Sequence, residues 1–346
     1  MNDKKDLLTP RERFGLLVID ENPDRCTVMP LVTSHASVIA NISVKDYYTS
    51  GVSMARAQLA ALEAYRHDAI SLFSEVGIIA EAMGSDFEYP DNDLPILKIP
   101  ALARSSLTKI SIPDPCTAKR LPVYLDAIDF AYDAVGDRVP ILAYVPAPFT
   151  TGMMLSDPNE FLMQTIKAPQ QVHEIMKVSL QATITFCHHI INAGGLPVIV
   201  DPLASSSVVS PRCYEQYALP YERLVIDYLH RYDLDIILHI CGETAPILHL
   251  LPATDADLIS VDKVDLRLVV STVSDRLRVV GNYDTSKIAF STPRVIHDDI
   301  KVMVAEGKKS PKGYIAATGC EVPIMTPTEN IRAFIKAAKE SAWYWV

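Results

Sequence analysis

Eight short runs of β-branched and other apolar residues recur along this chain, and segments with helical spacing or helix-capping residues separate nearly all of them. The runs lie at residues 26–32, 68–73, 140–145, 196–201, 235–241, 257–262, 278–282 and 314–318. Strands this short, parted by helices rather than tight turns, pair in parallel through crossovers and need helices over the sheet. Capping residues with proline at the first helical position mark several helix starts: Thr9-Pro10, Asp157-Pro158-Asn159-Glu160, Ser210-Pro211 and Thr292-Pro293. Thr326-Pro327-Thr328-Glu329 reads as a further capping box, and Gly194-Gly195 ends the helix expected over 169–192. Eight parallel βα units close into a barrel of ~250 residues plus insertions. An open doubly wound sheet is the competing arrangement, but no Gly-x-Gly-x-x-Gly follows any run. The expectation is an α/β chain, a (β/α)8 barrel forming a single domain over 1–346 with a short N-terminal extension.

The alternation lapses once. Residues 84–122 hold Pro90, Pro95, Pro100, Pro113 and Pro115 and far exceed the ~4–6 residues of an ordinary connection, so they are expected to be an insertion without regular structure, a lid over the barrel mouth. Hydrophobic residues make up 49% of the chain, enough to fill a large core. A net charge of -10, with no dense Lys/Arg cluster, argues against a nucleic-acid partner. No window approaches the ~18 apolar residues of a membrane span, and the stretch from Met1 to Pro10 lacks the apolar region of a signal peptide, so a cytoplasmic location is expected. Six cysteines spread over the chain do not make a disulfide framework, and Cys26, Cys116, Cys187 and Cys213 read as core thiols.

The other two cysteines carry the chemistry. In Leu238-His239-Ile240-Cys241-Gly242-Glu243-Thr244, His239 and Cys241 stand two apart at the end of a strand and so project to one side. Cys320, in Ala317-Thr318-Gly319-Cys320, ends the eighth run and completes a His, Cys, Cys set if the two strand ends converge. Three protein ligands with one position open describe a catalytic zinc, whereas a structural zinc is closed by four. Two thiolates and a neutral imidazole leave zinc with little net charge, a mild Lewis acid suited to a thiol substrate. Zinc hydrolases, the other common use, more often employ histidine and carboxylate ligands. Asp201, Asp262 and Asn282 also end strands, on the face where barrels build active sites. Asp262 is the expected oxygen for the open zinc position, with Glu243 next; the alternative for Asp201 and Asp262 is capping the following helices, and for Asn282 shaping a turn.

These segments, with Gly281-Asn282-Tyr283-Asp284, Gly319-Cys320-Glu321-Val322-Pro323 and Thr326-Pro327-Thr328-Glu329-Asn330-Ile331, resemble the uroporphyrinogen decarboxylase superfamily. More narrowly they resemble its zinc methyltransferases of the methylcobalamin:coenzyme M type, over nearly the whole chain from Thr9 through Asp201-Pro202-Leu203-Ala204-Ser205 to the last helix. The resemblance implies zinc on His239, Cys241 and Cys320, with a methyl group moving between cobalamin on a separate corrinoid protein and an acceptor. Coenzyme M, tetrahydrofolate, another thiol, or the reverse transfer from a methylated substrate onto cob(I)alamin all fit that implication. The decarboxylases grip their substrate's carboxylates with an N-terminal Arg-Gln-Ala-Gly-Arg motif, but residues 30–40 here hold no arginine. Corrinoid carriers ligate cobalt with Asp-x-His-x-x-Gly, which is also absent, so the corrinoid is expected on a partner.

Overall fold

The computed structural model describes residues 6–344; residues 1–5, part of the stretch read for a leader, lie outside it. Ten strands form among the described residues: β1 Thr27–Val28, β2 Ile70–Leu72, β3 Asp86–Glu88, β4 Ile96–Ile99, β5 Ile141–Pro146, β6 Leu196–Val200, β7 Ile237–Ile240, β8 Leu258–Val261, β9 Arg278–Tyr283 and β10 Tyr314–Thr318. All but β3 and β4 join one parallel sheet in the order β1-β10-β9-β8-β7-β6-β5-β2. Its two end strands meet at a seam bridged by Asp68. The Asp68 N–H donates to the Val28 carbonyl at 2.9 Å, and its carboxylate accepts from the Val28 N–H at 2.8 Å. The same carboxylate is matched by the buried Arg13 and Arg25, so the seam closes without an unpaired charge. The eight expected runs thus form the expected (β/α)8 barrel.

Period-two alternation decides what each strand end offers. Leu142 and Tyr144 of β5, Val198 and Val200 of β6, Ile237 of β7, Leu258 of β8 and Val280 of β9 pack together inside the ring. Ala143, Ile199, Leu238, Ile259 and Val279 face the helix layer. The helix Pro10–Val18, started by a complete Thr9–Glu12 capping box, sends Phe14 and Leu17 into the inner cluster and plugs the N-terminal end. Arg278 at the start of β9 holds it there through the Leu17 and Val18 carbonyls.

Three local expectations need correction. Thr326-Pro327-Thr328-Glu329 forms no capping box, because Pro327 occupies the cap position and has no side-chain acceptor; the last helix runs Thr328–Ser341. Residues 84–122 are not devoid of regular structure: β3 and β4 pair as an antiparallel hairpin, followed by short 3-10 turns. Pro90 and Pro95 lie between these strands, where they remove no ladder hydrogen bond. The hairpin hangs from the C-terminal end of β2. Phe87 packs on Gly77, the Val44 N–H donates to Asp91 O at 2.9 Å, and Arg120 ties Tyr89 to Glu75 and Glu81. Finally, Cys26 and Cys187 are core thiols and Cys213 is half-buried, but Cys116 is exposed, because it lies on the loop leading out of the insertion.

Candidate metal centre

His239 shares the parity of Ile237 and therefore points into the barrel mouth, where it is 5% exposed. The β7–β8 register sets it opposite Ser260, whose Oγ lies 2.9 Å from His239 Nδ1. With the ring proton on Nδ1 donated to that oxygen, Nε2 keeps a free lone pair. Cys241 follows at the same parity. Cys320 arrives from β10 through a turn rather than as a strand residue, and its Sγ stands 3.3 Å from Cys241 Sγ. One donor atom from each of His239, Cys241 and Cys320 lies within 4.8 Å of the other two.

Two glycines permit this approach. Gly242, at φ +78°, turns the chain after β7 so that its N–H donates to Asp262 Oδ2 at 2.9 Å. Gly319 passes so close to Asp262 that a Cβ there would stand 2.6 Å from Oδ1. Asp262 is 8% exposed and faces Cys241 Sγ at 3.4 Å. It does not cap the helix Leu266–Val273; Asp265 does that. Asn282 points its amide at the carbonyls of Asp262 (3.0 Å) and Val264 (2.7 Å), so it fixes the loop carrying Asp262.

The cluster gathers negative charge. Hydrogen bonding from Cys320, then His239 and Asp262, pulls the Cys241 thiol far down, and the same pairing pushes Cys320 up, so the two sulfurs share one proton near neutrality. Burial, then the Cys241 charge, raises Asp262 to about 6. Burial also raises Glu321, which accepts from Thr33 Oγ1 and lies within the field of Cys241 and His239. Two sulfurs and an imidazole nitrogen fit zinc in donor type and leave one position open, with the Asp262 carboxylate beside Cys241 but outside the convergent set.

Asp201 and Glu243 lie outside the set. Asp201 has the parity of Ile199 and points into the helix layer, where it accepts from Thr150 N and Oγ1 at 2.9 and 2.6 Å. It thereby satisfies an N-terminal N–H of the helix Pro148–Leu155 rather than of the one following it, and both its carboxyl and that of Glu222 are fully buried, burial pushing both upward. Glu243 is exposed and accepts from Ala245 N at 3.0 Å. The sequence reading missed Ser260, Thr33, Glu321 and Glu222. Ser260 was recoverable, since it shares Asp262's parity on the same strand; the others reach their places through tertiary contacts.

The model of the uroporphyrinogen decarboxylase (URO-D) family matches residues 9–341. The chain belongs to this family. Among its relatives, methylcobamide:CoM methyltransferase MtaA of Methanosarcina barkeri is 27% identical, over 85% of this chain and 86% of that protein. Uroporphyrinogen decarboxylase of Trichodesmium erythraeum is 26% identical, over 82% of this chain and 80% of that protein. A solved methyltransferase from Methanosarcina mazei shares the fold with a TM-score of 0.87 at 24% identity, covering 96% of this chain and 99% of that one. Both methyltransferases and decarboxylases therefore stand within the URO-D family at similar distance, and the site residues must discriminate. Among the described residues no helix is long and apolar enough to cross a membrane.

Proposed function

We propose that this URO-D family member is a zinc-dependent methyltransferase that moves a methyl group between a corrinoid, carried by a separate protein, and a thiol acceptor of the coenzyme M kind. The observation that carries the reading is the convergence of His239, Cys241 and Cys320 donor atoms within 4.8 Å at the C-terminal mouth. The arginine-rich N-terminal motif with which the decarboxylases grip their substrate's carboxylates has no counterpart: residues 30–40 hold no arginine, and Arg120, beside β2, is paired with Glu75 and Glu81.

His239, Cys241 and Cys320 would hold the zinc, which supplies a thiophilic centre that keeps an acceptor sulfur as thiolate near neutral pH. Ser260 fixes the His239 ring so that Nε2 faces the sulfurs. Asp262, beside Cys241, would offer the metal an oxygen ligand; the Gly242 N–H and the Asn282 clamp hold its carboxylate and loop in place. Tyr144 and Phe73 line the barrel below and exclude water. The β3–β4 hairpin, hung from β2 at the same end, serves as the lid.

The test combines metal analysis with transfer assays. Protein purified without chelator is expected to carry zinc at this site, lost in Cys241→Ala and Cys320→Ala, and to remove methyl from methylcobalamin only with a thiol present. X-ray absorption should show two zinc sulfurs becoming three with acceptor bound. Zinc content that neither substitution changes would refute the reading. Transfer with the sulfur count fixed at two would instead favour a pterin acceptor or demethylation of a methylated substrate.

A further inference from the structure

Far along the chain from the mouth, the insertion's exit loop meets the helix Pro169–Asn192, and Asp114, Cys116 and His189 bring a carboxylate oxygen, a thiol sulfur and an imidazole nitrogen within 4.8 Å of one another. We propose that these three residues form a second divalent-metal site, selective for borderline-soft cations such as Zn2+, whose occupancy ties the end of the insertion to the barrel's outer helix layer. The donors are already oriented by groups that do not compete for metal. His189 directs Nδ1 to the Thr185 carbonyl at 2.9 Å, which leaves Nε2 free. Asp114 stands between Pro113 and Pro115, both buried, and each of its oxygens accepts one hydrogen bond, from Cys116 N at 3.0 Å and Thr117 Oγ1 at 2.9 Å. A carboxylate oxygen with one hydrogen bond retains a lone pair for a metal. His188, its neighbour, faces elsewhere and bonds Tyr232, so the set uses one histidine and not two.

Thiolate, imidazole and carboxylate suit zinc, with water as the fourth ligand, and disfavour calcium or magnesium, which take all-oxygen shells. The site joins residues more than seventy positions apart. Because the metal binds only when loop and helix are together, occupancy holds the loop closed against local opening by the factor 1 + [Zn2+]/Kd.

The experiment counts zinc after equilibrium dialysis and times tryptic cleavage after Arg104, Lys109 and Lys119, exposed residues of the insertion. Cys116→Ser and His189→Gln are expected each to remove one zinc equivalent while Cys241→Ala removes a different one, the double variant losing both. At free zinc ten times Kd, cleavage of the wild type should slow by about tenfold, with no zinc effect in Cys116→Ser or His189→Gln. Wild-type zinc content in both of these variants, or cleavage indifferent to zinc, would overturn the proposal. Failure at this site leaves the Cys241 and Cys320 results untouched, so the two readings stand or fall separately.

Discussion

Gly319→Ala is the sharpest probe of the mouth, because it alters neither a donor nor a charge. The Gly319 backbone is not in the left-handed region, so alanine meets no conformational penalty there. Its Cβ would stand 2.6 Å from Asp262 Oδ1 and 3.0 Å from Asp262 Cα, short of ordinary 3.4 Å contact by about 0.8 and 0.4 Å. The carboxylate cannot swing aside freely, since Oδ2 holds the Gly242 N–H and the Asp262 carbonyl is held by Asn282. The strain must separate the loops after β7, β8 and β10, and so move Cys320 from Cys241 by several tenths of an ångström. Metal–ligand distances tolerate about ±0.2 Å, so zinc affinity should fall roughly 10–100-fold, the range seen on losing supporting contacts around a metal. The accompanying overpacking should cost about 1–3 kcal/mol. Competition with a chromophoric chelator reads the first quantity, and urea unfolding of zinc-free protein the second. Zinc affinity within twofold of wild type, with stability reduced, would refute the claim that Gly319 sets the donor geometry.

Other substitutions test the frame around the site. Arg120→Met strands the buried Glu75 and Glu81 carboxylates and should destabilise by about 3–5 kcal/mol, read by urea unfolding. Gly15→Ala, in the plugging helix where a Cβ meets nothing within 4 Å, should stabilise by roughly 0.5–1 kcal/mol in the same assay. His67 is buried with no hydrogen-bond partner on either ring nitrogen among the described residues, and burial lowers it to about 4. Its folded pKa lies below the unfolded value, so the unfolded chain takes up the proton first and stability falls as pH drops from about 6.5 toward 4. The stability advantage of wild type over His67→Gln should shrink by about 3 kcal/mol across that window, as measured by unfolding at each pH.

How much the sequence could reveal depended on the kind of contact involved. The barrel was legible because each strand is a local apolar run, and His239 and Cys241 were legible because two residues on one strand share a side whatever the rest of the fold does. Parity could have gone further. Asp201 lies one position out of step with Val198 and Val200, which places it in the helix layer, while Asp262 is in step with Leu258 and Ser260 and faces the mouth. Being at a strand's end is thus not sufficient for a site residue; being at the inward parity is the stronger condition. Cys320 escapes that rule only because Gly319 ends the strand and resets the direction, and that is why a residue with no room for a Cβ stands just before it. Ser260 followed from parity with Asp262, and its pairing with His239 from the β7–β8 register, whereas the Glu321–Thr33 contact needed the first and last strands of the barrel, β1 and β10, to pair. The insertion misled for a related reason. Proline density alone does not exclude a hairpin, because the ladder is sensitive to where prolines stand, and Pro90 and Pro95 fall in the connection between β3 and β4, where no ladder hydrogen bond is lost.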